Sequence, residues 1–267
     1  LNRIHESETQ FHDAWAESTD LAQVAVREAF EAPTALENRW ILARMGPLAG
    51  KRILDVGAGL GESSVYFALQ GADVTATDIS PGMVNAALRL AELHGVKLEG
   101  RVLAGESLGE ESAYDFVYVA NTVHHVADRA ALLGQVRRAL KPGGRFFSWD
   151  PVKYNPAINV YRRMATEVRT EDETPLGRAD AGLARRYFPD LECRFFWIAA
   201  LVLFAKYFVV DRVHPNQDRY WKRIFRETDA TLGWWKPLAA LDGALTRLPG
   251  VRWLAWNVVM TGTRPRG

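Results

Sequence analysis

The feature that most limits how this chain can fold is a glycine loop set directly behind a short apolar run. Residues 52–56 read RILDV, and Gly57-Ala58-Gly59-Leu60-Gly61 follows at once. Glycines let a chain turn sharply and let a ligand come close to the backbone. A loop of this kind behind a buried strand points to an α/β sheet, in which ligands bind beyond the carboxyl ends of the strands. The downstream pattern agrees. Residues 63–70, 81–94 and 128–140 have helical spacing, with Ser80 and Pro81 opening the second helix and Gly71 and Gly95 closing the first two. Residues 73–77, 98–103, 114–120 and 145–149 read as further strands. Strands separated by helices imply right-handed crossovers and a mostly parallel sheet. Residues 20–46 read as helix interrupted at Pro33.

The spacing of the loop bears on its ligand. A dinucleotide fingerprint needs GxGxxG, with a pyrophosphate on the helix N-terminus. Here the third glycine comes one place early, and Glu62 puts a carboxylate where two phosphates would lie. Asp55 stands before the loop, where it can face a cationic group. Asp78 ends the second strand, 21 residues after Gly57, where a carboxylate can accept from both ribose hydroxyls. A ligand with an amino-acid part and a nucleoside but no phosphate fits best. A nicotinamide-dependent oxidoreductase on a similar sheet is the competing enzyme reading, and Glu62 counts against it.

LDVGAGLGESSVYFALQGADVTATDIS, YDFVYVANTVHHV and ALKPGGRFFSWDP together resemble the class I S-adenosylmethionine-dependent methyltransferases, in particular their small-molecule and lipid-quinone branch. The resemblance spans residues 48–152, with a looser match near 253–263. It implies a doubly wound, mostly parallel, seven-stranded Rossmann-like sheet with a large helical insertion late in the chain. It also implies one domain over 1–267: a helical cap at 1–47, a cofactor core at 48–152, an acceptor-side insertion carrying the sixth strand at 153–250, and a last strand and tail at 251–267. S-adenosylmethionine would be the methyl donor and S-adenosylhomocysteine the product. Asp55, Gly57 and Gly59 would hold the methionine part, with Gly61 packed beneath. Asp78 would bind the ribose, and Ile79 would lie on the adenine face. The family's usual acid near the adenine amino group is replaced by Ala104, so Gly105 or Glu106 would serve there. Asn121 would sit beside the sulfonium, unless it is a plain turn residue.

Methyl transfer needs an acceptor atom held in line with the methyl group, with water excluded. His124 and His125 follow the fourth strand and are candidates for a base acting near neutral pH; the alternative is one core and one capping histidine. Phe11 and Trp15 lie in an N-terminal segment that closes over the cofactor in resembling proteins. Tyr161, Arg162 and Arg169 would line an anionic acceptor, or else a solvated face paired with Glu167, Glu171 and Asp172.

Residues 195–210 read FFWIAALVLFAKYFVV, short of a membrane span. Residues 206–226 then carry six Lys or Arg against two Asp, a local +4 interleaved with aromatics. A lid, a dimer interface and a peripheral membrane contact are all open for this stretch. Nucleic acid is disfavoured by a net charge of +1 over the chain. The single cysteine, Cys193, excludes a disulfide framework, and no HExxH spacing occurs, so no metal centre is expected. No N-terminal signal is read, which makes a cytoplasmic location the expectation. The acceptor is expected to be small or lipid-like. A cofactor-binding partner protein without catalysis is the non-enzymatic alternative.

Overall fold

The computed structural model describes residues 2–170, 173–227 and 229–266. Three helices precede the sheet: α1 (Asn2–Ser18), α2 (Glu28–Glu31) and α3 (Leu36–Met45). The helix expected over 20–46 is therefore broken into pieces. Ala32 and Ala35 flank Pro33 in non-helical conformations, because a proline restricts the residue before it and donates no N–H.

Strands β1 (Arg52–Val56), β2 (Asp73–Asp78), β3 (Glu99–Val102), β4 (Tyr114–Ala120), β5 (Leu140–Pro151), β6 (Glu192–Phe196) and β7 (Asn257–Thr263) form one sheet in the order β3-β2-β1-β4-β5-β7-β6. Pairings among β1 to β5 are parallel, and β7 runs antiparallel between β5 and β6. The mostly parallel seven-stranded Rossmann-like sheet is thus present. From β1 the chain winds outward to β2 and β3, then returns to β4 on the other side. A crevice opens at that reversal, beyond the carboxyl ends of β1 and β4.

Alternation along the strands divides the core between the two faces. Leu54, Val56, Val117, Val119 and Phe146 point one way, towards α6 (Arg129–Ala139) and α8 (Arg178–Tyr187). Ile53, Tyr118 and Phe147 point the other, towards α3 and α4 (Glu62–Leu69). A buried polar chain ties α3 to the second face. The Trp149 indole N–H donates to the Tyr118 hydroxyl at 3.0 Å, and that hydroxyl donates to Asn38 at 2.7 Å.

Helix ends follow their signals. The Ser80 hydroxyl accepts from Met83 N–H at the start of α5 (Pro81–Leu93), and Asp128 accepts from Ala131 N–H at the start of α6. β5 differs from expectation. It begins at Leu140, ahead of the Pro142-Gly143-Gly144 turn, because Leu140 already pairs with Tyr114 before the register shifts.

The apolar stretch 195–210 yields strand only up to Phe196. β6 begins at Glu192, where exposed Glu192 and buried Phe195 alternate. The remainder turns inward with α7 (Pro156–Met164), α9 (Val202–Ala205), α10 (Tyr220–Arg223) and α11 (Asp229–Leu245). Trp197, Phe204, Tyr207, Tyr220, Trp235 and Trp256 make an aromatic core of their own there. Val202 escapes it at 42% exposed, and so does the end of the stretch: Phe208 is 46%, Val209 70% and Val210 70% exposed. No described helix is long and apolar enough to cross a membrane.

Candidate active site

One cavity of about 510 Å³ fills the crevice beyond β1 and β4, a size suited to a small ligand (about 300–1,000 Å³). Every residue expected at the site lines it except Gly61. Gly61 lies beneath, where its Cα faces Ala87 of α5 so closely that a Cβ would stand 2.6 Å from the Ala87 Cβ. Its φ of +90° lets the loop pass directly into α4.

The loop is held by Asp78. One of its carboxylate oxygens accepts from Gly59 N–H and the other from Ser80 N–H, both at 2.9 Å. Each oxygen keeps a further lone pair for a ligand hydroxyl. Burial raises the Asp78 pKa, with His12 and the two N–H donors opposing it. Asp55 accepts from the Ser64 hydroxyl at 2.7 Å. Burial, offset by Ser64 and reinforced by the nearby Asp78 and Glu62 carboxylates, pushes Asp55 up to about 7. Such a carboxyl is poised to ionise against an incoming cation.

Asn121 has φ +50°, a left-handed conformation that Asn tolerates and most residues do not. It is thus a turn residue as well as a cavity residue. Its N–H donates to Trp149 O at 2.8 Å, which turns the chain from β4 into the short helical turn Val123–His125. Ile79 and Gly105 lie on the cavity wall. Glu106 Oε1 is buried with no hydrogen-bond partner, although His5 Nε2 lies 3.6 Å away.

His124 is buried and held by Asp150 at the end of β5. Asp150 Oδ1 lies 2.8 Å from the ring Nδ1 and accepts from the His124 main-chain N–H at 3.1 Å. With Nδ1–H donating, Nε2 carries the lone pair. Burial lowers the His124 pKa well below the imidazole range, and the nearby cations His125, Arg162, Arg129 and Arg169 add to this. Burial likewise pushes Asp150 up to about 8. The His124 ring is therefore neutral near pH 7. His125 packs against it, with ring centres 4.1 Å apart and planes tilted by 41°. Burial works against a charge on His125, but the hydrogen bond and charge of Glu8 outweigh it and raise the pKa.

α1 roofs the cavity. Its Asp13 accepts from the Ser80 hydroxyl at 2.5 Å and from Gly82 N–H at 2.9 Å, docking the helix on the start of α5. Phe11 and Trp15 face the cavity, and Trp15 meets Trp221 edge-on at 6.2 Å. Arg162 and Arg169 both bind Glu173, at 2.9 and 2.8 Å, rather than forming a solvated face. Glu171 and Asp172 lie outside the described residues. Burial, with Arg169 close by, pushes Arg162 down to about 10. Two guanidiniums share one carboxylate, so a positive charge remains. Tyr161 closes this side against Tyr220 and Phe204.

The cations of 206–226 are largely engaged within the fold. Lys222 pairs with Glu62, Arg223 with Asp211 and Asp218, Lys206 with Asp211, and Arg219 lies 4.1 Å over the Trp15 ring. The sequence reading missed Glu8, His12, Asp150 and Glu173. Glu8 and His12 stand four apart on one helix face, a signal that was readable. Asp150 acts through His124, 26 residues away, whereas Glu173 pairs with Arg169 four residues before it, a spacing that was also readable.

Comparison with known proteins agrees with the geometry. A family model described as a methyltransferase domain matches residues 54–146. Over this stretch the chain is similar to the class I S-adenosylmethionine-dependent methyltransferases. A ubiquinone biosynthesis O-methyltransferase of Pseudomonas savastanoi pv. phaseolicola is 37% identical over 138 residues, which is 49% of this chain and 57% of that protein. The chain thus spans little more than half the length of the curated relatives it matches. Among solved structures, a putative sarcosine dimethylglycine methyltransferase from Galdieria sulphuraria superposes with a TM-score of 0.57 at 17% identity, covering 92% of this chain and 90% of that one. A Haemonchus contortus phosphoethanolamine N-methyltransferase also gives 0.57, at 19% identity, over 86% of this chain and 52% of its own. At these identities the likeness concerns the fold of the methyltransferase domain. S-adenosylmethionine is the family's methyl donor, and the residues present fit it: a buried carboxylate with spare lone pairs at Asp78, open space at Gly59, and an unsatisfied Glu106.

Proposed function

We propose that this protein transfers a methyl group to a small, hydrophobic acceptor carrying an anionic group. The observation that carries the reading is that one cavity holds both the Asp55–Asp78 loop and, across from it, His124, Tyr161, Arg162 and Arg169. S-adenosylmethionine, when bound, supplies an electrophilic methyl group and its own leaving group. The chain then has to bind, orient and dry the reactants. Asp78 would take the ribose hydroxyls, Ile79 the adenine face, and Asp55 and Asn121 the methionine end. Arg162 and Arg169 would draw the acceptor's anionic group. His124, with Asp150 fixing its tautomer, would accept the proton of an acceptor hydroxyl at Nε2. α1 and Trp221 would keep water out.

The relatives named for ubiquinone biosynthesis make intermediates of that pathway the first acceptors to test. Transfer of label from S-adenosylmethionine to members of such a panel, lost in Asp78→Asn, is the expected result. Binding of S-adenosylhomocysteine without transfer to any acceptor would favour a non-catalytic partner protein. Tighter binding of a nicotinamide cofactor would overturn the reading.

A lipid surface is a second reading, favoured by the exposed Phe208-Val209-Val210 run. Lys206, Lys222 and Arg223 are paired within the fold while Arg212 is exposed beside the run, so this contact would be mainly apolar with little charge. Val209→Ser with Val210→Ser should reduce sedimentation with lipid vesicles, and unchanged sedimentation would remove it.

A further inference from the structure

Three side chains with metal-ligating atoms meet at the roof of the cavity. Glu8 Oε2 lies 3.3 Å from His12 Nε2 and 3.1 Å from His125 Nδ1, and all three ligand atoms are within 4.8 Å of one another. We propose that Glu8, His12 and His125 bind a divalent transition-metal ion of the zinc type, and that this ion fastens α1 over the cavity.

The distances suit such an ion. Tetrahedral zinc with bonds of about 2.0–2.2 Å to nitrogen and oxygen sets neighbouring ligand atoms about 3.3–3.5 Å apart. The separations of 3.1 and 3.3 Å need only a small side-chain adjustment to reach that. The donor set also fits. Two imidazoles and one carboxylate match zinc and its neighbours, whereas magnesium and calcium favour all-oxygen sets.

Glu8 is prepared for the role. It is 5% exposed, and its Oε2 faces the two imidazole nitrogens alone. Its other oxygen accepts from the Thr170 hydroxyl at 2.5 Å, which orients the carboxylate. Glu8 and His12 are one helical turn apart, so α1 presents both to the same side. His125 comes from the turn after β4. An ion here would link two elements more than a hundred residues apart in sequence.

The adjoining group His124, His125 and Glu173 is less apt. Asp150 holds the His124 Nδ1, and two arginines hold Glu173. Three protein ligands leave a fourth position for water or an acceptor oxygen, as in catalytic zinc sites. Glu8, His12 and His125 all line the cavity, so that position would open into it. Use of the position by an acceptor rests on the methyl-transfer reading; binding of the ion does not.

The test uses the whole chain, freed of metal by chelation. Zn²⁺ titrated calorimetrically should bind at one equivalent, and Co²⁺ should acquire visible absorption bands. Glu8→Gln and His12→Gln should each weaken Zn²⁺ at least a hundredfold. Thr170→Val, which removes the hydroxyl that orients Glu8 and lies 3.5 Å from His125 Nδ1, should weaken it about tenfold. Zn²⁺ should raise the melting temperature of the wild type and not that of the two ligand variants. S-adenosylhomocysteine binding, measured in parallel, reports separately on the cofactor site and on folding of each variant. No stoichiometric Zn²⁺ binding, or equal binding by wild type and both ligand variants, would overturn the metal site and leave the cofactor reading untouched.

Discussion

Gly59 and Gly61 lie two residues apart in one loop, yet the same substitution should have opposite effects at the two positions. A Cβ at Gly59 meets nothing within 4 Å, and the residue lines the cavity. Gly59→Ala therefore costs only the strain of a side chain at φ +55°, about 1–2 kcal/mol. A Cβ at Gly61 would stand 2.6 Å from the Ala87 Cβ and 2.8 Å from its Cα. Backbone cannot give way as a flexible side chain can, so Gly61→Ala adds overpacking of about 1–3 kcal/mol to a similar strain. Against a total stability of about 5–15 kcal/mol, both variants fold, the second with little margin. At about 2–4 °C per kcal/mol for a protein of this size, thermal melts in the absence of ligand should rank wild type, then Gly59→Ala, then Gly61→Ala. Calorimetric titration with S-adenosylhomocysteine should give a different ranking. Gly59→Ala places a methyl group where the ligand must approach the backbone, and should lose at least a hundredfold in affinity. Gly61→Ala, whose new methyl group points away from the cavity, should lose far less. An affinity for Gly59→Ala within threefold of wild type would refute the reasoning and reduce the loop to a structural turn.

Other substitutions probe the rest of the site. Asp78→Asn should weaken S-adenosylhomocysteine ten- to a hundredfold, about the 1.5–3 kcal/mol of a hydrogen bond to a charged group, and should also lower stability, because an amide nitrogen cannot accept from the Gly59 or Ser80 N–H. Asp55→Asn should stabilise the ligand-free protein at high pH. Below about pH 4 the wild-type carboxyl is protonated in both folded and unfolded chains, so the variant gains nothing. As pH rises towards the folded-state value of about 7, only the unfolded chain ionises freely, and the advantage of the variant grows to at most about 4 kcal/mol. Denaturant melts at pH 4 and pH 8 read this directly, and an equal difference at both would refute it. Trp235→Ala, which removes a fully buried ring packed 5.4 Å from Trp197, should cost about 3–5 kcal/mol; an unchanged denaturation midpoint would contradict its placement in the aromatic core.

Much of the cofactor half was legible because its signals are local. RILDV and YDFVYVA are apolar runs bounded by polar residues, and they became β1 and β4 with the expected limits. Ser80-Pro81 and Gly95 marked α5 because capping and φ preference act within a few residues. The part after residue 152 was harder to read. Continuous hydrophobicity over 195–210 does not distinguish a strand from an inward-turning helix, and only Glu192 and Phe195 carry the strand alternation. The local +4 was legible as composition but not as surface, since Glu62, which neutralises Lys222, lies 160 residues away. His124 and His125 were legible as candidates. Their different partners, Asp150 and Glu8, arise from tertiary contacts that neither spacing nor periodicity encodes.

The seating of α1 bears on how fast a bound molecule can leave. Asp13 anchors this helix to Ser80 and Gly82, immediately beyond the carboxylate at Asp78, and Trp15 lies under Arg219 and against Trp221 at the other side. Under the methyl-transfer reading, a spent cofactor beneath such a roof would leave most readily when the helix lifts. Residence time would then depend on these few contacts as well as on the depth of the pocket, and the opening of the N-terminal helix would bear on turnover.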